Sequence, residues 1–335
     1  MMITKVSPNE AGQRFDKYLK KLLKDAPDSF IYKMLRKKNI VLNGKKADGK
    51  EKLCLDDEIR FFLADETFEK FGGRSAMNTI DTTHDILAYQ KLGALHILYE
   101  DDNILIVDKP SGVLSQKSKP EDISVNEWLT GYLLSQHKIT ADSLATFRPS
   151  VCNRLDRNTS GMVVCGKTLA GSQYLSRIIK DKTLEKYYYC LAAGELTADE
   201  RVSGYLYKDP SQNKVTIYHK ETDIPDSIRE DSVYIDTAFQ SIRTANHITL
   251  LEVQIFTGKT HQIRAHLSSL GYPIIGDSKY GDAAVNQMYR KKGVRCQLLH
   301  AHKLIFPKTT EPIFSKTSGR VVECPPPAIF EELML

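Results

Sequence analysis

Long apolar runs are missing from this 335-residue chain: stretches such as 104–107 fall far short of the ~20 residues a bilayer span needs. The opening, MMITKVSPNE, lacks the apolar core and cleavage signal of a secretory peptide, so a cytoplasmic protein without membrane contact is expected. Cysteine is sparse and scattered, at Cys54, Cys152, Cys165, Cys190, Cys296 and Cys324, with no CxxC pair. That spacing argues against a disulfide framework and against a zinc site, and fits reduced thiols. No internal repeat or low-complexity tract stands out, and the net charge of +5 is mild. What remains is an ordinary globular composition, 41% apolar and 27% charged, long enough for roughly two domains of about 150 residues.

The mild net charge conceals a local concentration. Between Arg14 and Lys52 thirteen basic residues face five acidic ones. In the same stretch Phe15, Tyr18, Leu19, Leu22 and Leu23 recur at helical spacing, and Pro27-Asp28-Ser29 breaks that helix and offers an N-cap to a second one carrying Phe30, Ile31, Met34 and Leu35. Ile40-Val41-Leu42 followed by Asn43-Gly44 is a strong hairpin signal, and a strand over 59–63 closes a small α/β module. A basic surplus on a folded module is the footprint of a polyanionic partner, although a solvated lysine-rich helix face has the same composition. The expected patch is Lys33, Arg36, Lys37, Lys38, Lys45 and Lys46.

Residues 64–94, with Gly72-Gly73 and little periodicity, read as a connector containing at most a short helix over 86–92. Beyond it, β-branched or aromatic runs at 104–107, 162–165, 187–192, 249–255 and 304–306 predict strands, with helices over 125–134 and 170–179. The order does not alternate strictly as βαβ. The expected fold is therefore α+β with a mixed, largely antiparallel sheet over residues 95–335, preceded by the module at 1–63.

Three segments carry possible chemistry. Residues 161–168 read GMVVCGKT, a literal match to the G-x-x-x-x-G-K-[ST] phosphate loop. Its interior, Met-Val-Val-Cys, has the composition of a strand, whereas a phosphate cradle needs backbone N–H groups turned inward from a loop. An ATPase is not expected. In NRLDRNTSG (153–161), Asp156 stands between Arg154 and Arg157 and before a Thr-Ser-Gly turn, so nearby positive charge holds it ionised. On local physics alone a structural salt bridge in a turn is favoured over an active carboxylate. GKTHQIRAH (258–266) places polar side chains at the start of a helix; His261 and His266 are five apart, which is not the helical spacing of a metal pair.

Together NRLDRNTSG and GKTHQIRAH resemble the catalytic and basic motifs of the RluA-type pseudouridine synthases. In the same order, ILYEDDNILIVDKPSG (97–112) resembles that family's first strand and lysine-proline turn, and KYYYCLAAG (186–194) its tyrosine strand. GYPIIGDSKYG (271–281) and LLHAHKLIFP (298–307) resemble its C-terminal turns, and residues 1–63 resemble the S-four-like (α-L) RNA-binding domain that often precedes it. Two positions depart from the pattern: Asn153 replaces a histidine and Lys259 an arginine.

The resemblance implies an isomerase acting on uridines in RNA, ribosomal RNA of the large subunit before transfer RNA, as a monomer. The reaction cuts the bond from uracil nitrogen to ribose and rejoins the base through a ring carbon. No redox change or phosphoryl transfer occurs, so neither cofactor nor metal is called for. By motif, Asp156 is the reacting carboxylate, as nucleophile or as base on the ribose. Arg264 pairs with it, and Tyr188 stacks on the base and assists the late proton removal. Arg154 fills the space left by the flipped uridine, and Arg157, Thr159, His261 and Gln262 contact substrate. A non-catalytic RNA-binding or ribosome-assembly protein is the alternative, separable by mapping pseudouridine in treated RNA.

Overall fold

A computed structural model describes residues 2–72, 80–197, 199–212 and 214–335. Two compact units divide the chain: Met1–Ile106 with Gln116–Asn153 and Val164–Arg177, and Val107–Ser115 with Arg154–Val163 and Ile178–Leu335. Among the described residues no helix is long and apolar enough to cross a membrane.

The first unit opens with a four-stranded antiparallel sheet in the order Met2–Lys5, Glu58–Phe61, Ile40–Leu42, Lys45–Lys46. Helices Phe15–Leu22 and Asp28–Arg36 bury the apolar stripes that their spacing predicts: Phe15, Leu19, Leu22, Ile31 and Leu35 share one core with Ile40, Ile59 and Phe61. Asn43 and Gly44 both have positive φ, 51° and 71°, the conformation a two-residue hairpin turn requires. The Asn43 side chain also ties the turn to the next strand, accepting from the Glu58 N–H and donating to Asp57, both at 2.8 Å. The expected N-cap for the second helix differs: Pro27 occupies the position, without a side-chain bond, and Asp28 stands in the first turn, where a carboxylate complements the helix dipole.

The stretch expected as a connector holds helices Asp65–Lys70 and Thr83–Leu92, and Phe68 and Phe71 join the N-terminal core. Gly73 lies outside the described residues. Helix Thr83–Leu92 packs on Val125–Ser135 at Gly131, where a β-carbon would stand 2.2 Å from the Asp85 carbonyl oxygen.

In the second unit, strands run antiparallel in the order Lys214–Tyr218, Glu200–Asp209, Val233–Ala245, Ile248–Ile255, Glu185–Ala193, Leu299–Ile305. Val321–Glu323 pairs antiparallel with Leu299–Ile305, and the start of Ser160–Gly166 pairs parallel with it through Ser160 and Gly161. The fold is α+β with a mixed, mostly antiparallel sheet. All seven residues of Ser160–Gly166 are buried, as the continuous apolar run predicts for a strand covered on both faces. Gly161 is required there: its φ is 106°, and a β-carbon would lie 2.4 Å from the Ala301 carbonyl oxygen. The phosphate-loop match is thus a strand, and Lys167 at its end donates to the Glu100 carboxylate at 2.7 Å.

Candidate active site

Asp156 lies on the turn that leads into strand Ser160–Gly166, where the Thr159 N–H donates to its carbonyl oxygen at 3.0 Å. The close approach at Gly161 sets this turn against Leu299–Ile305, whose other neighbour is Glu185–Ala193. In that register Ala301 stands opposite both Gly161 and Tyr188. Tyr188 therefore comes to the Asp156 turn through sheet pairing rather than through proximity in sequence.

Arg264 arrives from the other direction, on helix Gln262–Ser269. Its Nη1 donates to Asp156 Oδ2 at 2.7 Å. The rest of the guanidinium is gripped by Asp277: Nε donates to Oδ2 at 2.7 Å and Nη2 to Oδ1 at 2.9 Å. Asp277 is wholly buried, and its Oδ1 also accepts from the backbone N–H groups of Lys279 and Tyr280. Burial works against both charges. For Arg264 it is outweighed by the bonds and charge of Asp277 and Asp156, which raise its pKa; for Asp277 it is outweighed by Arg264 and the two backbone donors, which lower its pKa. One arm of a planar fork is fixed in the interior, and the remaining N–H is presented to the half-exposed Asp156.

His261 caps the same helix in the left-handed region, φ 54° and ψ 19°, which residues other than glycine seldom occupy. The turn puts its Nε2 3.9 Å from Asp156 Oδ2, with Nδ1 2.9 Å from the Tyr280 hydroxyl. Burial lowers the imidazole pKa, and the cations Arg264 and Lys279 oppose the raising pull of Asp156, so the surroundings favour the neutral ring. Burial, and then the charge of Asp156, raise the Tyr188 phenol far above its ordinary value. In the free protein the Tyr188 phenol is thus protonated, not a resting base.

A cavity of about 70 Å³ opens beside Asp156, Thr159, Tyr188, His261 and Arg264, with Arg154 and Lys259 also on its wall. The structure thus brings together most of the residues singled out by sequence, but gives two of them other work. Arg157 does not line this cavity; its Nε donates to the Gly112 carbonyl oxygen at 3.0 Å. Gln262 lines it but is buried, accepting from Thr257 and the Lys259 N–H and donating to Asp236 and Thr237, so it braces the loop before the helix. The amide has no bonding capacity left over for a substrate.

Sequence reasoning missed two supports. Asp277 sits in the GDSKYG turn, which resembles the family pattern but carried no assigned role. Lys109, in the lysine-proline turn, is fully buried, and its Nζ donates to the carbonyl oxygens of Pro110, Val113 and Arg157 at 3.1, 2.8 and 3.0 Å. It thereby ties its own turn to the residue after Asp156. Burial lowers its pKa to about 8 despite the neighbouring Asp156. Asn153, the departure from histidine, accepts from the Val164 N–H at 2.8 Å and so holds the start of the motif to a strand.

The six expected RNA-contacting cations, Lys33, Arg36, Lys37, Lys38, Lys45 and Lys46, are all exposed. They cluster at the end of helix Asp28–Arg36 and on the hairpin, and none has an ion-pair partner among the described residues. Other bases of the same stretch are engaged: Arg14 with Asp16, and Lys20 with Asp28.

Residues 103–269 match the RNA pseudouridylate synthase family. The chain is 33% identical over 310 residues to ribosomal large subunit pseudouridine synthase C of Rickettsia bellii (strain RML369-C), covering 92% of this chain and 93% of that one. It is 28% identical over 321 residues to the enzyme of the same name from Vibrio vulnificus (strain CMCP6), covering 93% and 91%. Among solved structures, human RNA pseudouridylate synthase domain containing 4 aligns with a TM-score of 0.55 at 20% identity, over 74% of this chain and 94% of that one. Human RNA pseudouridylate synthase domain containing 1 aligns with a TM-score of 0.52 at 21% identity, over 72% and 86%, which speaks to the fold alone.

Proposed function

Since the chain belongs to the RNA pseudouridylate synthase family, we propose that it isomerises particular uridines of large-subunit ribosomal RNA, as a cytoplasmic monomer, with Asp156 as the reacting carboxylate. The observation that carries this reading is the buried chain Asp277–Arg264–Asp156, which ends at a cavity walled by Tyr188. A surface salt bridge needs no second carboxylate to aim its arginine. Here the fork is fixed from behind, so the Asp156 carboxylate is held in one orientation before substrate arrives.

The reaction breaks N1–C1′ and forms C5–C1′; C5 gives up its proton and the freed N1 takes one up, so the product is an isomer of the substrate. Asp156 acts on the ribose, where an ionised carboxylate is required, and Arg264 keeps it charged inside a partly desolvated site. Tyr188 holds the detached base by its ring face, a contact worth ~1–3 kcal/mol. Arg154, exposed at the cavity wall, takes the place of the uridine in its stack as the nucleotide flips outward. The exposed cations on the N-terminal module, read as an S-four-like domain over residues 1–63, supply sequence-independent phosphate contacts. The ribosomal target rests on the names of the relatives and on that basic module.

The test compares pseudouridine maps of ribosomal RNA from cells with and without the gene, complemented by wild type or Asp156→Asn. One or a few sites should vanish on deletion and return with wild type only. Asp156→Asn should bind RNA as before and form no product; restoration of the sites by that variant would remove Asp156 from the chemistry.

A further inference from the structure

A second cavity in the same unit, of about 530 Å³, shares Ile255 with the cavity beside Asp156. Nothing in the reaction described above uses it. Lys182 and Lys186 stand on its wall, with Arg201, Tyr234 and Phe256 also lining it. The acids on its wall are already engaged. Asp236 accepts from Arg201 Nε at 3.0 Å and Nη2 at 2.7 Å, and Glu185 accepts from the Tyr187 hydroxyl at 2.6 Å. The Arg201 guanidinium also sits 4.0 Å from the centre of the Phe256 ring.

The two lysines are different. Neither ammonium has an ion-pair or hydrogen-bond partner among the described residues. Lys186 is part-buried, and its Nζ comes within 3.6 Å of where a β-carbon on Gly258 would stand. The next residue, Lys259, lines the Asp156 cavity. Burial, and then the charge of Lys182, push the Lys186 pKa down. A part-buried cation set beside a second cation, with no carboxylate in ion-pair contact with either among the described residues, is costly unless a ligand brings an anion. Tyr234 nearby is 48% exposed, a large aromatic face left open to solvent.

We propose that this cavity receives a nucleotide of the substrate RNA adjacent to the target uridine, its phosphate between Lys182 and Lys186 and its base against Tyr234 and the Arg201 guanidinium. The placement rests on Asp156 marking the uridine site. It follows from continuity: an RNA strand with one nucleotide at Asp156 must leave that cavity, and in the cavity that shares Ile255 it meets cations with no ion-pair partner among the described residues, beside open stacking surfaces. Lysines bind phosphate as point charges, while tyrosine rings and guanidinium planes stack on unpaired bases whatever their identity.

The test uses Asp156→Asn protein, so that binding is read without turnover, and short target RNAs each carrying one neutral methylphosphonate linkage. With Lys186 intact, one linkage next to the uridine should weaken binding about tenfold. Adding Lys186→Gln or Lys182→Gln should abolish the effect of that linkage and leave the effects of others unchanged. The double variant should also flatten the salt dependence of affinity by roughly 0.7, the slope of one single-strand phosphate contact, and each single variant by part of that. Tyr234→Ala should weaken an RNA with a base at that nucleotide and not one made abasic there. Equal losses at every linkage, or none, would overturn the proposal, and so would coupling only to a linkage remote from the uridine. Lys182 is exposed, so its variant reports on binding even if Lys186→Gln fails to fold. Failure of Asp156 as the reacting group is a separate result, read from product formation in the Asp156→Asn protein.

Discussion

Asp277→Asn keeps the shape of a side chain that solvent does not reach and removes its charge. In the wild type, Asp277 Oδ1 accepts from Arg264 Nη2 and from the N–H groups of Lys279 and Tyr280, while Oδ2 accepts from Arg264 Nε alone. The asparagine oxygen stays where the three donors are. Its amide nitrogen then faces Arg264 Nε, donor against donor, and the cation loses its buried counter-charge. Breaking one side of a buried pair costs about 3–5 kcal/mol. With only Asp156 left to hold it, the guanidinium pivots, and a misplacement on the order of 1 Å at a reacting group lowers turnover by about 100-fold. Urea unfolding at pH 7 measures the first effect. Tritium release from RNA labelled at uridine C5 measures the second, which should fall on kcat with KM nearly unchanged. The pH dependence has a definite sign. The folded-state pKa of Asp277 lies below its ordinary 3.8, so its stabilisation is fully present above that value and is lost as pH falls through the lowered one. The stability gap between wild type and variant should hold constant from pH 7 to about pH 5 and close below 4. A variant within about 0.5 kcal/mol of wild type with unchanged turnover would refute the claim that Asp277 aims Arg264.

Tyr188→Phe should retain most RNA affinity in the Asp156→Asn background, because the stacking face survives, while Tyr188→Ala should lose ~1–3 kcal/mol of binding; equal losses in the two would deny a stacking role. Replacing Lys33, Arg36, Lys37 and Lys38 together by glutamine should leave the circular dichroism spectrum intact and flatten the salt dependence of RNA binding by roughly 0.7–0.9 for each phosphate no longer neutralised; an unchanged slope would make the patch a solvated face. Lys109 has a folded pKa of about 8 against an ordinary 10.5, so between those values the unfolded state binds more protons and the fold gains stability as pH rises. Lys109→Met lacks this response, and unfolding curves at pH 8 and 10 should show wild type gaining on it; parallel curves would contradict the burial of that ammonium.

Local patterning decided more of this protein than its net charge suggests. The stripe from Phe15 to Leu23 and the Asn43-Gly44 turn specify the N-terminal module because periodicity and positive φ are properties of adjacent residues. The same kind of local argument rejected the phosphate loop, since Met162-Val163-Val164-Cys165 is strand-forming whatever surrounds it. Asp156, Tyr188 and Arg264 were legible only because three segments, 153–161, 186–194 and 258–266, could be read together; none alone distinguishes a salt bridge from a reacting carboxylate. What the tertiary structure decided lies between residues far apart in sequence. Arg264 meets Asp156 across 108 positions, and the order of strands, not any local preference, brings them together. Asp277 and Lys109 resemble ordinary turn residues until burial makes their charges costly and their partners necessary. Gln262 went the other way: its amide is consumed inside the protein, which composition cannot foresee, and Arg157 is exposed but ties its Nε to the Gly112 carbonyl oxygen away from the cavity. That the Lys186 ammonium has no partner among the described residues is likewise invisible in a chain with 47 lysines and arginines, because whether a cation has a partner depends on what folds against it.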